Sequence, residues 1–121
     1  DGVWVALMAF GDGASLVGNV YRASASWGDS YGAYYPSSGG TSVTATGSRG
    51  AMRLVRRGTT MNGYYWAGSQ WVSVFAGEVP LSDVSFNLSV SNISGATQFG
   101  HDWATIQLDN FIVTADVITC S

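Results

Sequence analysis

The chain has 121 residues, of which 46% are hydrophobic and only 11% are charged. A chain of this length forms a single domain and is long enough to bury a hydrophobic core. Lys is absent and the formal net charge is −3, which argues against a nucleic-acid partner, because phosphate backbones require clustered positive charge. No apolar run reaches the roughly 18 residues that span a bilayer as a helix.

Short apolar and β-branched runs alternate with Gly-rich turns along the chain, and no segment keeps a helical period for three turns. An unbroken apolar run near the start ends at a Gly-Asp-Gly turn. The predicted strands cover residues 3–10, 17–26, 42–46, 51–57, 59–67, 71–76, 84–91 and 105–118, with residues 28–40 as a turn-rich aromatic segment. This spacing predicts one all-β domain, an antiparallel sandwich or barrel.

Apolar positions within these strands predict the core. In the last strand Ile106 and Leu108 share one face, and both faces become apolar after Asp109-Asn110. The residues predicted to be buried are Leu54, Trp71, Phe86, Ile106 and Leu108.

Two segments resemble the concanavalin A-like lectin/glucanase superfamily. They are ATIQLDNFIV at residues 104–113 and RLVRRGTTMNGYYWAGSQW at residues 53–71. The resemblance lies in Arg56-Arg57-Gly58, Gly63-Tyr64-Tyr65, Trp71 and the Asp109-Asn110 pair followed by alternating hydrophobics. It implies a jelly-roll β-sandwich of LamG-like type in a secreted or cell-surface protein, whereas activity is a separate question.

The first apolar run is similar to a strand from the middle of a concanavalin A-like domain. The resemblance therefore also implies that residues 1–121 are roughly the C-terminal two-thirds of such a domain. Exposed strand edges and apolar area invite association. Another chain, or identical copies, is therefore expected to cover the segments from Val3 to Phe10 and from Thr105 to Val113.

An aromatic segment is the first candidate binding site. It comprises Trp27, Asp29, Tyr31, Tyr34 and Tyr35. Sugar rings stack their apolar faces on aromatic side chains while a carboxylate orients hydroxyls, so this composition favours a neutral or weakly charged glycan. The alternative is a turn whose rings are tucked into the core.

A second candidate contact group precedes the last strand, at His101, Asp102 and Trp103, where a loop histidine without a ligand is the alternative interpretation. The single His lacks the partners of a zinc site, and no aspartate lies in a calcium-loop series. We therefore predict no metal and no cofactor.

Paired catalytic carboxylates are missing from the sequence, since Glu78 is the one glutamate and the seven aspartates are scattered. The favoured function is a non-catalytic, extracellular carbohydrate-binding or adhesion module. The alternative is a structural subunit of a surface layer or fibre assembled by strand complementation. A third hypothesis is part of a glycoside hydrolase whose carboxylates lie outside this chain.

Three further features of the sequence are a cysteine, an arginine cluster and two glycosylation sequons. Cys120 is either an unpaired thiol or a bridge to another segment or chain. Arg53, Arg56 and Arg57 are interpreted as a charge group at a strand end. Asn87 and Asn92 begin glycosylation sequons of a kind that often arises by chance.

Overall fold

The computed structural model describes residues 2–35, 41–92, 107–110, 112 and 114. Within these residues the chain is all β, apart from one short 3-10 turn at Asp12–Ala14. No helix in this part of the chain has the length and apolarity to cross a membrane. The strands are β1 (Gly2–Phe10), β2 (Leu16–Ala25), β3 (Gly28–Gly32), β4 (Val43–Thr44), β5 (Met52–Arg57), β6 (Thr60–Trp66), β7 (Trp71–Glu78) and β8 (Ser85–Asn92).

The first sheet has the strand order β4-β3-β2-β1-β8, and all its pairs are antiparallel. β1 pairs with β2 along one edge and with β8 along the other. Both edges of β1 are therefore paired within the chain, because β8 returns from later in the sequence. That another chain or identical copies cover the segment from Val3 to Phe10 stays a prediction. Thr105 and Val113, at the ends of the other segment, lie outside the described residues.

The second sheet has the order β5-β6-β7 and is built from two consecutive hairpins. The predicted hairpin between β5 and β6 is confirmed, and Gly58 occupies its turn with a φ of 58°, a conformation that favours glycine. The β6–β7 register shifts between Gly63 and Tyr64. Val74 is the extra residue of this bulge, so that Val74 and Phe75 are both buried although they are consecutive.

The core lies between the two sheets. Ala9 and Val20 contribute from the first sheet, and the second sheet and the segment after it contribute Met61, Val74, Phe75 and Val79. Glycines make this close approach possible: a Cβ on Gly63 would lie 2.5 Å from Cε1 of Phe75, and one on Gly18 would lie 2.8 Å from Cγ of Met61.

The predicted core was only partly right. Leu54 packs against the core as expected. Trp71 is 38% exposed because it lies at the end of a hairpin, opposite Trp66. Phe86 is 36% exposed, because β8 is an edge strand of the described sheet. Leu108 is 51% exposed in a segment without strand pairing, and Ile106 lies outside the described residues.

Among the described residues, the second sheet does not extend over β8. The register of β8 with β1 places Phe86, Leu88 and Val90 on the face that is directed towards the second sheet. However, the second sheet packs over the middle of the first, with β5 on β1 and β2, and β7 on β2 and β3. Val90 is consequently 48% exposed.

Candidate functional site

The structure divides the aromatic group that the sequence suggested. Residues 28–32 form strand β3 rather than a turn, because they pair with the end of β2. Alternation along β3 then directs Asp29 and Tyr31 towards the second sheet. Trp27 remains at the tip of the β2–β3 hairpin and is 72% exposed.

Tyr34 lies on the opposite face of the first sheet. Its ring centroid is 5.0 Å from that of Trp4 and 6.3 Å from that of Tyr21. Burial raises the pKa of the Tyr34 phenol above its usual value, because the phenolate form is less well solvated there. The backbone N–H of Tyr35 donates a hydrogen bond of 2.9 Å to Oδ1 of the buried Asn19. The rings of Tyr34 and Tyr31 therefore lie on opposite faces of the first sheet.

The second candidate group of the sequence, His101, Asp102 and Trp103, lies outside the described residues. Its assignment to saccharide binding stays a prediction.

A cleft of about 510 Å³ opens where β3 and β4 of the first sheet meet the end of β6. Tyr31, at 4% exposure, and Tyr65 lie at its base. Trp66 forms one wall and is 40% exposed. The polar side chains that line the cleft are Thr44, Thr46 and Arg49.

Two strand extensions and one stacked pair build this cleft. Tyr31 stacks on Tyr65 with ring centroids 4.9 Å apart and an interplanar angle of 19°, which joins the two sheets. The N–H of Ala45 donates to the Asp29 carbonyl at 2.9 Å, so the β3–β4 pairing continues to the cleft. The N–H of Trp66 donates to the Ala51 carbonyl at 3.0 Å, which continues the β5–β6 pairing.

A polar network supports the cleft from below. Arg22 pairs with Asp29 at 3.2 Å, and its guanidinium lies 5.4 Å from the centre of the Tyr31 ring. The Ser24 hydroxyl donates to the other oxygen of Asp29 at 2.8 Å, and Arg22 also donates to the Gly47 carbonyl. Both oxygens of Asp29 are thus engaged within the protein. Asp29 thus links β2 to β3, and Arg22 connects this pair to the loop at Gly47. The hydroxyl-orienting role expected for Asp29 stays a prediction.

An exposed tryptophan pair continues the cleft onto the neighbouring surface. Trp66 and Trp71 are cross-strand partners with ring centroids 5.4 Å apart, packed edge to face at 66°. The guanidinium of Arg53 lies 6.0 Å from the centre of the Trp71 ring. The hairpin turn closes with a 2.9 Å hydrogen bond from the Ala67 N–H to the Gln70 carbonyl. Two tryptophans on either side of this short turn were the sequence signal for the pair, and it was missed when Trp71 was assigned to the core.

The chemistry of these groups suits binding. The cleft combines flat apolar rings with hydroxyl and guanidinium donors. Within the described residues, no three His, Cys, Asp or Glu side chains come together in a group that could hold a metal ion.

Comparisons of the chain with protein-family models, with curated proteins and with solved structures found no match. The resemblance to the concanavalin A-like superfamily stays a prediction from the motifs.

Proposed function

We propose that the chain is a non-catalytic carbohydrate-binding module whose site is the cleft at Trp66, built on a β-sandwich of concanavalin A-like type. The observation that carries this proposal is Trp66, which is 40% exposed and lines a cleft together with Tyr31 and Tyr65. The cleft is also lined by Thr44, Thr46 and Arg49. A secreted or cell-surface location accords with such a ligand.

The physical match is between the two kinds of group in the cleft and the two kinds of surface on a sugar. Apolar C–H faces of a pyranose stack on an exposed indole, and hydroxyls pair with hydroxyl and guanidinium groups. The volume of about 510 Å³ lies within the usual range of roughly 300–1,000 Å³ for ligand sites. Because Trp66 is also in contact with Trp71 beyond the cleft, the arrangement favours a saccharide of several units.

Replacing Trp66 with Ala should weaken saccharide binding about tenfold or more, because one stacking surface contributes about 1 kcal/mol and also excludes water from neighbouring hydrogen bonds. A glycan array first identifies a saccharide that the wild-type chain binds. The affinity of each variant for that saccharide is then measured by isothermal titration calorimetry. Trp27→Ala is the matched control: it removes the same side chain from a more exposed hairpin tip and should leave the affinity unchanged.

Two other results would contradict the proposed site or the proposed function. If saccharide affinity falls in Trp27→Ala but not in Trp66→Ala, the binding site lies at the β2–β3 hairpin, as the sequence suggested. An array without any binding to the folded wild-type chain would contradict the proposed function itself.

A second candidate function is assembly into a fibre or surface layer, and β8 favours it. This strand exposes Phe86 and Val90 on the face that would otherwise be covered by a second sheet. A strand or sheet from another copy could cover this apolar face and so remove it from water.

If β8 mediates assembly, sedimentation equilibrium of the wild-type chain should show self-association, and Phe86→Ser/Val90→Ser should shift it to monomer. The control is Leu81→Ser, since Leu81 is 77% exposed outside the strands and should not affect association. A wild-type chain that stays monomeric at micromolar concentration would exclude β8 as an assembly surface under those conditions.

A further inference from the structure

We propose that the saccharide surface extends over the outer face of the second sheet and binds the carboxylate or sulfate groups of an acidic polysaccharide. This inference rests on the proposed function of the cleft and names its ligand class. It departs from the neutral glycan that the sequence favoured, because the structure shows where the arginines lie.

A groove of about 240 Å³ runs along β5 and β6 on this face. The register pairs Arg53 with Tyr64 and Val55 with Asn62, so side chains of both strands point to the same side of the sheet. Arg57 lies further along β5 on that side and also lines the groove. The groove therefore presents two guanidinium groups, one amide and one phenol.

Arg53 and Arg57 have no carboxylate partner within the described part of the protein. Arg22 is paired with Asp29. Arg56, on the opposite face of β5, donates to the carbonyls of Gly58 at 3.0 Å, Pro80 at 2.8 Å and Ser82. By contrast, neither Arg53 nor Arg57 forms a salt bridge with a described carboxylate. The three clustered arginines of the sequence thus divide into one structural residue and two that face solvent.

The nearest carboxylate in the sheet is that of Glu78. Thr60 pairs with Arg57 on one side and with Glu78 on the other. Glu78 therefore lies two strands away from Arg57, at the far edge of the sheet. Among the described residues, the groove is lined by no carboxylate.

The tryptophan pair connects residues of the groove with residues of the cleft. Arg53 lies over Trp71, Trp71 packs against Trp66, and Trp66 lines the cleft. Arg53 and Arg57 are four residues apart on one strand, or about 13 Å. Guanidinium groups recognise planar oxyanions through paired hydrogen bonds. This spacing suits acidic groups on different units of one extended chain.

The test uses two matched pairs of probes that differ only in charge: polygalacturonate with its carboxyl-reduced form, and dextran sulfate with dextran. Affinity electrophoresis or calorimetry at low salt should show roughly tenfold tighter binding of wild-type protein to a charged probe than to its neutral partner. Binding of polygalacturonate would indicate a carboxylated ligand, and binding of dextran sulfate would indicate a sulfated one. Arg53→Gln/Arg57→Gln should abolish the difference and retain any binding to the neutral form.

The control variant is Ser85→Asp/Asn87→Asp, which makes the same change in net charge at exposed positions on the other sheet. It should keep the preference for the charged probe. Equal binding to charged and neutral probes would overturn this inference and leave the proposed function intact. A preference that survives in Arg53→Gln/Arg57→Gln, or that is lost equally in the control, would also overturn it. If no charged probe binds while a neutral glycan on the array does, the inference fails alone; no binding to any glycan contradicts both.

Discussion

Replacing Phe75 with Ala should lower the free energy of unfolding by about 3–5 kcal/mol, the usual cost of truncating a buried aromatic residue. Phe75 is 2% exposed, and its ring fills the space left above Gly18 and Gly63. The truncation would leave a cavity between the two sheets that the paired strands cannot close. Urea denaturation followed by circular dichroism measures the change.

Leu81→Ala is the control for this prediction, because Leu81 is 77% exposed. Its effect should stay within about 0.5 kcal/mol, as is usual for surface positions. Equal midpoints for the two variants would show that Phe75 does not join the sheets, and the described packing would then be wrong.

Gly63→Ala should destabilise the protein by about 1–3 kcal/mol, as overpacking of a core does. The added Cβ would lie 2.5 Å from Cε1 and 2.7 Å from Cδ1 of Phe75, and 3.2 Å from Cβ of Val20. The ring cannot move away freely, since the core encloses it. This effect is measured in the same denaturation experiment.

A double-mutant cycle tests the cause of that loss. Phe75→Leu removes Cε1, the ring atom nearest to the new methyl group, and replaces a rigid ring with a smaller side chain. Gly63→Ala should therefore cost less in the Phe75→Leu background than in the wild type. Additive effects would show that Gly63 is needed for another reason, such as the conformation of the bulge beside it.

Much of the described fold could be predicted from local patterns. The apolar run of β1, the alternation in β2 and the Arg57-Gly58 turn each carry their own signal, and the structure confirms a strand or turn at each place. These features depend on neighbours in the sequence, which is why the pattern of apolar residues and glycines is sufficient.

The errors arose where distant segments decide the outcome. Strand pairing with β2 makes residues 28–32 a strand, although Gly28 and Gly32 favour a turn by composition. The place of Trp71 in an apolar run predicts a core residue, yet its register opposite Trp66 leaves both partly exposed. The second partner of β1 has no local signal, because β8 lies more than seventy residues later.

The candidate site was beyond sequence reasoning for the same reason. Tyr31 and Tyr65 come from different sheets and become neighbours only when the sheets pack. The distinction between Arg56 and its neighbour Arg57 likewise depends on which face of β5 is covered. Neither relation has a local signature in the sequence.

We propose the cleft at Trp66, together with the neighbouring Trp71, as the saccharide surface of this protein. Nuclear magnetic resonance titration of the labelled chain with oligogalacturonate, and with its carboxyl-reduced counterpart, tests it most directly, because the indole N–H signals report each tryptophan separately. We expect the signals of Trp66 and Trp71 to shift with saturation, and the signal of Trp27 to stay unchanged. Shifts at Trp27 with unchanged Trp66 and Trp71 signals would contradict it.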